Sequence, residues 1–288
     1  RKESSAASDV YKRQGEGGPY QDKKAYDLLI QSESGFLSVT GTKDDPVKAG
    51  CSIADIAAGM YAYSAILNAL LLRQRTGLGS RLDVSMLESM VEWMGFPMYY
   101  AFEGAAPPVR AGAAHASIYP YGLFPVGDGS TIMLGLQNER EWRVFCAQVL
   151  RQADLAEDPR FLSNSQRTAN RDALRDLIVA AFADLSIAQV TQRLEDAQIA
   201  NARVNDMAGV WAHPQLQARA RWSQVDSPAG TLPALLPPAS SNAFAPRMAA
   251  VPSVGQNTDA VLASLGYAPD QVCLLYTSDA ADDSLRVD

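Results

Sequence analysis

The chain has 288 residues, 47% of them apolar and 20% charged, with a formal net charge of -7. An acidic balance of this kind argues against a nucleic-acid backbone as the main partner. Of the three cysteines, Cys273 lies in an end segment set aside below; the other two, Cys51 and Cys146, far apart in so apolar a chain, make no disulfide framework and suit a reducing compartment, and the length suits one large domain or two smaller ones.

Both ends stand apart from the rest. Residues 4–14 read SSAASDVYKRQ and residues 273–283 read CLLYTSDAADD. One back-translation of the first, reverse-complemented and shifted by one base, encodes the second. A translated sequencing adaptor leaves such ends, so 1–14 and 273–288 are set aside as non-native tails and expected to pack poorly. They carry net charges of +2 and -3, leaving -6 on residues 15–272. This native part is expected to start and stop inside a gene. Its lysines all precede residue 49, and later basic charge is all Arg. With the Ala richness, this reads as a GC-rich bacterial genome, and it removes a Schiff-base lysine from most of the chain.

In chain order, Gly15 to Tyr20 (GEGGPY) is a glycine-rich turn, Tyr26 to Gly35 a helical stretch and Gly41 to Gly50 a polar loop. Ser52 opens a long apolar helix to about Arg75, with Ser52 at the N-cap, Asp55 at the third helical position in a capping-box-like start, and Gly77 as the stop. Between Ile56 and Leu72 only Ser64 and Asn68 are clearly polar, which predicts a helix buried on all sides in a soluble core rather than a membrane span. Leu82 to Met86 reads as a strand and Leu87 to Phe102 as a helix, so the first part suggests α/β layering.

After Pro107-Pro108 the texture changes. Ser117 to Gln137 predicts two strands joined by Gly127-Asp128-Gly129-Ser130. Asn138 with Glu141 and Ser186 with Gln189 mark helix starts, with Trp142, Phe145, Cys146 and Val149 sharing one face and Val190 and Leu194 pointing inward. Trp222 to Asp226 and Leu232 to Leu236 read as strands around Pro228-Ala229-Gly230, and Thr258 to Leu265 as a last short helix. The Pro-rich stretch 228–252 reads as a connection between lobes.

Spacing alone gives poor site signals. There is no Cys pair, no paired His and no plausible zinc set. His213, before Pro214, reads as a surface residue. His115 lies in a loop with Ser117, Tyr119 and Tyr121, where both a structural and a catalytic role are open. Asp55 taken bare is a helix cap.

The stretch Pro46 to Leu70, PVKAGCSIADIAAGMYAYSAILNAL, resembles the segment around the nucleophilic aspartate of class III CoA-transferases, the formyl-CoA and carnitine CoA-transferase (CaiB/BaiF) type. GEGGPY, AYDLLIQSESG, RTGLGSRLDVSMLES, AHASIYPYG, NEREW, EDPRF and GQNTDAVLASLGY fall in the same family order, covering essentially all of 15–267.

The resemblance implies an α/β fold with a partial Rossmann-like large domain and a smaller α+β domain, in two interlocked chains. It assigns 15–106 to the large domain, 107–240 to the small domain with its linkers, and 241–272 to a return to the large domain. The amino-terminal part of the large domain, which supplies much of the CoA pocket, would be missing, so this piece alone is expected to be inactive. The implied enzyme is cytoplasmic, with no permanently bound cofactor or metal, no membrane and no nucleic acid. Its partners are an acyl-CoA and a small carboxylic acid, and CoA moves between them through an aspartyl intermediate on Asp55.

Tyr26 and Asp27 align with a family Tyr–acidic pair beside the nucleophile, and Gln31 with a nearby polar residue. Asp27 stands where some members have Glu, which leaves its reach open. The loop of His115, Ser117, Tyr119 and Tyr121 resembles one facing the active site. No glycine-run lid is present, which argues against oxalate and formyl-CoA as the substrate pair. AHASIYPYG and NEREW are similar to members pairing succinyl-CoA with branched C4–C5 dicarboxylates, with Arg110 or Arg140 as partner of the distal carboxylate. A racemase or epimerase of the same family, and a non-catalytic CoA-binding paralogue, are the alternatives.

Overall fold

The computed structural model describes residue 15 and residues 17–277. The tail 1–14 and residues 278–288 lie outside the described residues. The chain divides into two compact units, the first ending at Val204 and the second starting at Asn205.

The first unit opens with helices α1 (Asp27–Glu33), α2 (Phe36–Val39), α3 (Ile53–Thr76), α4 (Met86–Trp93) and α5 (Gly95–Tyr100). The sequence places the four alanines Ala54, Ala57, Ala58 and Ala62 on one side of α3, and these are its buried residues. Small side chains at this spacing let neighbouring backbones approach. A small core forms there from Ala25, Ile30, Ala54, Ala57, Ala58, Met86 and Met90, contributed by α1, α3 and α4 with Ala25 two residues before α1. Gly77 stops α3 in the left-handed region (φ 73°), its N–H donating to Arg73 O at 2.8 Å.

Two expectations for this region are corrected. Helix α3 is not buried on all sides: Ile56, Met60, Tyr63, Leu67 and Leu71 are exposed, because α1 and α4 cover only the alanine stripe. By length and composition alone α3 is apolar enough to cross a membrane, with a mean hydropathy of 1.4. The strand expected at Leu82–Met86 is not formed. No neighbouring strand offers it a ladder among the described residues, and Ser85 instead caps α4, its Oγ accepting from Glu88 N–H at 3.3 Å.

The second half of the unit is built on an antiparallel three-stranded sheet, β1 (Tyr121–Pro125), β2 (Thr131–Gly135) and β3 (Ala200–Arg203), in the order β1-β2-β3. Helices α6 (Glu139–Val144), α7 (Asn164–Ala169), α8 (Arg171–Phe182) and α9 (Ile187–Asp196) complete it. The expected hairpin is present, with Phe124 paired to Ile132 and both turned into the core. Leu174, Ile178 and Phe182 repeat every four residues on α8 and are fully buried. At roughly 1.5–3 kcal/mol for each large side chain, this stripe is a main source of the unit's stability. Trp142, Phe145, Cys146 and Val149 share the predicted face, α6 passing into a π-helical turn at Phe145–Val149.

The second unit holds α10 (Met207–Trp211), α11 (Pro214–Ala218), the hairpin β4 (Trp222–Ser227) and β5 (Gly230–Leu235), and helices α12 (Thr258–Ser264) and α13 (Pro269–Thr277). The hairpin turns at Pro228-Ala229 as the sequence suggests. His213, read as a surface residue, is half-buried and caps α11, with Nδ1 accepting from Gln215 N–H at 3.2 Å. Residues 273–277, set aside with the tail, continue α13.

Candidate active site

Helix α3 starts without the expected capping box. The Ser52 side chain makes no cap hydrogen bond. The cap comes from another helix: Asp27 Oδ1 accepts the Ala54 N–H at 2.8 Å. Asp27 Oδ2 accepts from Gln31 Nε2 at 2.7 Å, and Gln31 Oε1 accepts the Ala49 N–H at 2.9 Å. One α1 face thus holds both the loop before α3 and its first turn.

Asp55 follows Ala54 in that turn and is exposed, with no hydrogen-bond or ion-pair partner among the described residues. The N–H of Ile53 donates to Cys51 O at 2.8 Å and that of Ile56 to Ser52 O at 3.0 Å. The Asp55 N–H itself is left open among the described residues. A carboxylate here sits in the favourable field of the helix N-terminus. Tyr26 immediately precedes α1 and is exposed. The structure therefore brings Asp27, Gln31 and the start of α3 together.

The loop from His115 to Tyr121 is closed by its own groups. His115 Nδ1 accepts from Ser117 N–H at 3.2 Å and Ile118 N–H at 3.1 Å, while the His115 N–H donates to Tyr121 O at 2.8 Å. The imidazole stacks on the Tyr121 ring at 5.4 Å and 13°. Tyr119 is buried, and desolvation pushes its phenol up to about 12. Ser117 is exposed.

The two candidate arginines are not brought together. Arg110 Nε donates to Thr42 O at 2.8 Å and its Nη2 to Lys43 O at 2.7 Å, so the guanidinium staples the Gly41–Pro46 turn. That turn needs glycine at 41, where φ is 116° and a Cβ would lie 2.2 Å from Asp45 O. Arg140 is exposed on α6, lining a hollow of about 270 Å³ with Gln148, Asp196 and Gln198. Among the described residues no group of three His, Cys, Asp or Glu is placed to hold a metal.

The model of CoA-transferase family III matches residues 11–258. The chain belongs to that family. The match begins inside the segment set aside as a tail. The succinate–glutarate CoA-transferase of Agrobacterium fabrum is 33% identical over 76% of this chain and 54% of its own length. The acetyl-CoA:oxalate CoA-transferase of Acetobacter aceti is 30% identical over 71% of this chain and 53% of its own length. The chain thus spans about half the length of these curated relatives. The crystal structure of a CaiB/BaiF family protein from Brucella suis superposes with a TM-score of 0.75, at 31% identity, over 88% of this chain and 66% of that one. The mixed helix-and-sheet fold is that of family III.

Several motifs of this family III chain have structural duties: the cap and the core Trp of NEREW were legible in the sequence, the Glu139–Arg167 pairing was not. In NEREW, Asn138 Oδ1 caps α6, accepting from Glu141 N–H at 3.0 Å, and Trp142 fills the core. Glu139 binds the buried Arg167, Oε2 to Nη1 at 2.7 Å and Oε1 to Nη2 at 3.1 Å. Arg167 also donates to Tyr119 O and Phe161 O, each at 3.0 Å, and lies over the Trp142 ring. Asn164 joins in, its Oδ1 accepting from Tyr119 N–H at 3.1 Å and its Nδ2 donating to Ser117 O at 2.8 Å. Arg167 and Asn164 thus fix the His115–Tyr121 loop. The only sequence signal was local: Ser163 and Gln166 form a capping box at the start of α7.

Proposed function

We propose that Asp55 is the nucleophile of an enzyme that moves CoA from an acyl-CoA donor to a carboxylic acid. The observation that carries this reading is the placement of Asp55, exposed and unpartnered in a helix's first turn whose start is held by Asp27. Membership of family III supports it.

In this mechanism an Asp55 oxygen attacks the thioester carbonyl and expels CoA thiolate, leaving a mixed anhydride. The thiolate attacks the Asp55 carbonyl and releases the donor acid, leaving an aspartyl-CoA thioester. The acceptor carboxylate attacks that thioester and expels CoA thiolate, forming a second anhydride. Thiolate attack on its acceptor carbonyl gives the new acyl-CoA and frees Asp55. The helix N-terminus favours the ionised nucleophile, and the open Asp55 N–H is a donor available to a developing oxyanion. The covalent route splits an exchange between two bound acids into easier steps.

A dicarboxylate is the proposed acceptor, since the relatives described above are named for glutarate and oxalate. A C4–C5 diacid with succinyl-CoA is the finer reading. The oxalate relative weighs against reading the absent glycine-run lid as exclusion of oxalate. In the complete enzyme, residues 15–106 and 241–272 would belong to the large domain and 107–240 to the smaller one. A cytoplasmic homodimer with CoA thioester as substrate and no resident cofactor completes the proposal.

The test is hydroxylamine trapping during turnover by a complete enzyme carrying this segment. A hydroxamate on Asp55, read by peptide mass, and loss of nearly all transfer in Asp55→Asn are expected. An adduct on Asp27, or full activity in Asp55→Asn, overturns the assignment.

A further inference from the structure

We infer that Gln31 is a positioning residue for Asp55, acting through a polar relay whose hydrogen-bond polarity is fixed by the backbone at both ends. This rests on the reading of Asp55 as the nucleophile.

Gln31 is fully buried on α1. A buried carboxamide must find partners for its donors and its acceptor or lose stability. Its orientation follows from one constraint: the Ala49 N–H can only donate, so the oxygen of Gln31 faces it, at 2.9 Å. The amide nitrogen is then turned to Asp27 Oδ2, at 2.7 Å. The other end is fixed in the same way. The Ala54 N–H can only donate, so Asp27 Oδ1 accepts it, at 2.8 Å. Backbone donor, Gln31, Asp27 and backbone donor form one chain of three hydrogen bonds.

The relay spans the segment that sets Asp55. Ala49 lies before the Gly50–Ser52 turn and Ala54 just after it, so both flanks of the turn are pinned to one face of α1. Asp27 is committed at both oxygens as an acceptor, which gives it a holding role and leaves Asp55 as the open carboxylate of the pair. Without Gln31, Ala49 loses its acceptor, Asp27 loses the donor that orients it, and only one flank of the Gly50–Ser52 turn stays pinned to α1. A nucleophile on such a turn is misplaced by fractions of an ångström to an ångström, enough to cost ~100-fold in rate.

The fixed polarity provides the test. Asp27→Asn keeps an oxygen for Ala54 but sets its NH2 against the NH2 of Gln31. Gln31→Glu keeps an oxygen for Ala49 but sets a carboxylate against Asp27. The double variant Asp27→Asn with Gln31→Glu restores all three bonds, with the middle one reversed and the net charge unchanged. In a complete enzyme carrying this segment, each single variant is expected to lose ~10- to 100-fold in kcat with KM for acyl-CoA nearly constant, and the double variant to recover most of it. Amide hydrogen exchange in this chain is expected to follow the same order, with Ala49 and Ala54 losing protection in the singles and regaining it in the double.

A double variant no better than the singles in kcat overturns the inference, as does exchange at Ala49 and Ala54 that ignores Gln31→Glu. Rescue with no hydroxamate on Asp55 keeps the relay and removes the nucleophile. A hydroxamate on Asp55 without rescue keeps the nucleophile and removes the relay.

Discussion

Asp27 reaches from α1 to the Ala54 N–H of α3 at 2.8 Å, across 27 residues of sequence, and takes the place of a local helix cap. A carboxylate at this position satisfies a first-turn donor that Ser52 leaves alone.

Removing the cap has a defined cost. Asp27→Ala is expected to destabilise the first unit by about 1–2 kcal/mol, the range for loss of a capping oxygen. Urea unfolding followed by circular dichroism measures it. A midpoint equal to that of the parent would show that Ala54 N–H finds another acceptor.

Asp55 should behave in the opposite way. It has no side-chain partner among the described residues, so Asp55→Asn removes only its interaction with the helix dipole. A change in stability below about 1 kcal/mol is expected. Thermal unfolding of the two proteins side by side checks this. A large loss would mean that Asp55 is a structural cap.

Arg167 is the reverse case, a buried cation holding Glu139, Tyr119 O and Phe161 O at once. Arg167→Ala should cost about 3 kcal/mol, since two buried carbonyls lose their donor while the half-exposed Glu139 regains water. Arg167→Lys should recover little, because one ammonium does not span the three sites that the planar fork reaches. Chemical denaturation of the two variants gives both numbers.

The same pair sets an acid limit. The Arg167 guanidinium, by hydrogen bond and then by charge, holds the Glu139 carboxyl below its ordinary value of 4.5. A group with a depressed folded value contributes stability that is full above its unfolded value and is lost as pH falls through the folded one. Urea midpoints should therefore drop below about pH 4.5, the ordinary value for Glu. Glu139→Gln should start less stable at pH 7 and show a shallower decline. Parallel pH profiles for the two proteins would exclude this source of acid sensitivity.

Thiol reactivity should separate the cysteines. Burial pushes the Cys146 thiol up to about 12, whereas Cys51 and Cys273 are exposed. At pH 8 a maleimide should label the exposed two quickly and Cys146 only after unfolding. Peptide mapping after timed labelling distinguishes the outcomes.

What the sequence disclosed was local. Ser186 with Gln189 and Asn138 with Glu141 cap their own helices within three residues, and the Gly127–Ser130 turn fixes a hairpin beside it. What it hid was distant or relational. Asp27 capping Ala54 has no spacing signature, and Arg167 was one arginine among many. Leu82–Met86 carries strand-like residues, but a strand exists only with a ladder partner. The apolar character of α3 reports what could be covered, and the core shared with α1 and α4 takes in Ala54, Ala57 and Ala58, with Ile53 at its edge. Asp55 and Gln31 were marked by family likeness, and the geometry that links Gln31 to Ala49 came only from the fold.

Arg110 reaches back 68 and 67 residues to Thr42 O and Lys43 O, and the Gly112 N–H joins it by donating to Gly41 O at 2.7 Å. Closing a loop of that length costs roughly 4 kcal/mol in chain entropy, more than these exposed bonds return by themselves. They gain from forming after α1, α3 and α4 have already shortened the effective loop. In folding order the Gly41–Pro46 turn and the start of the His115 loop are therefore joined late, and a refolding experiment should see Arg110→Ala accelerate unfolding more than it slows folding.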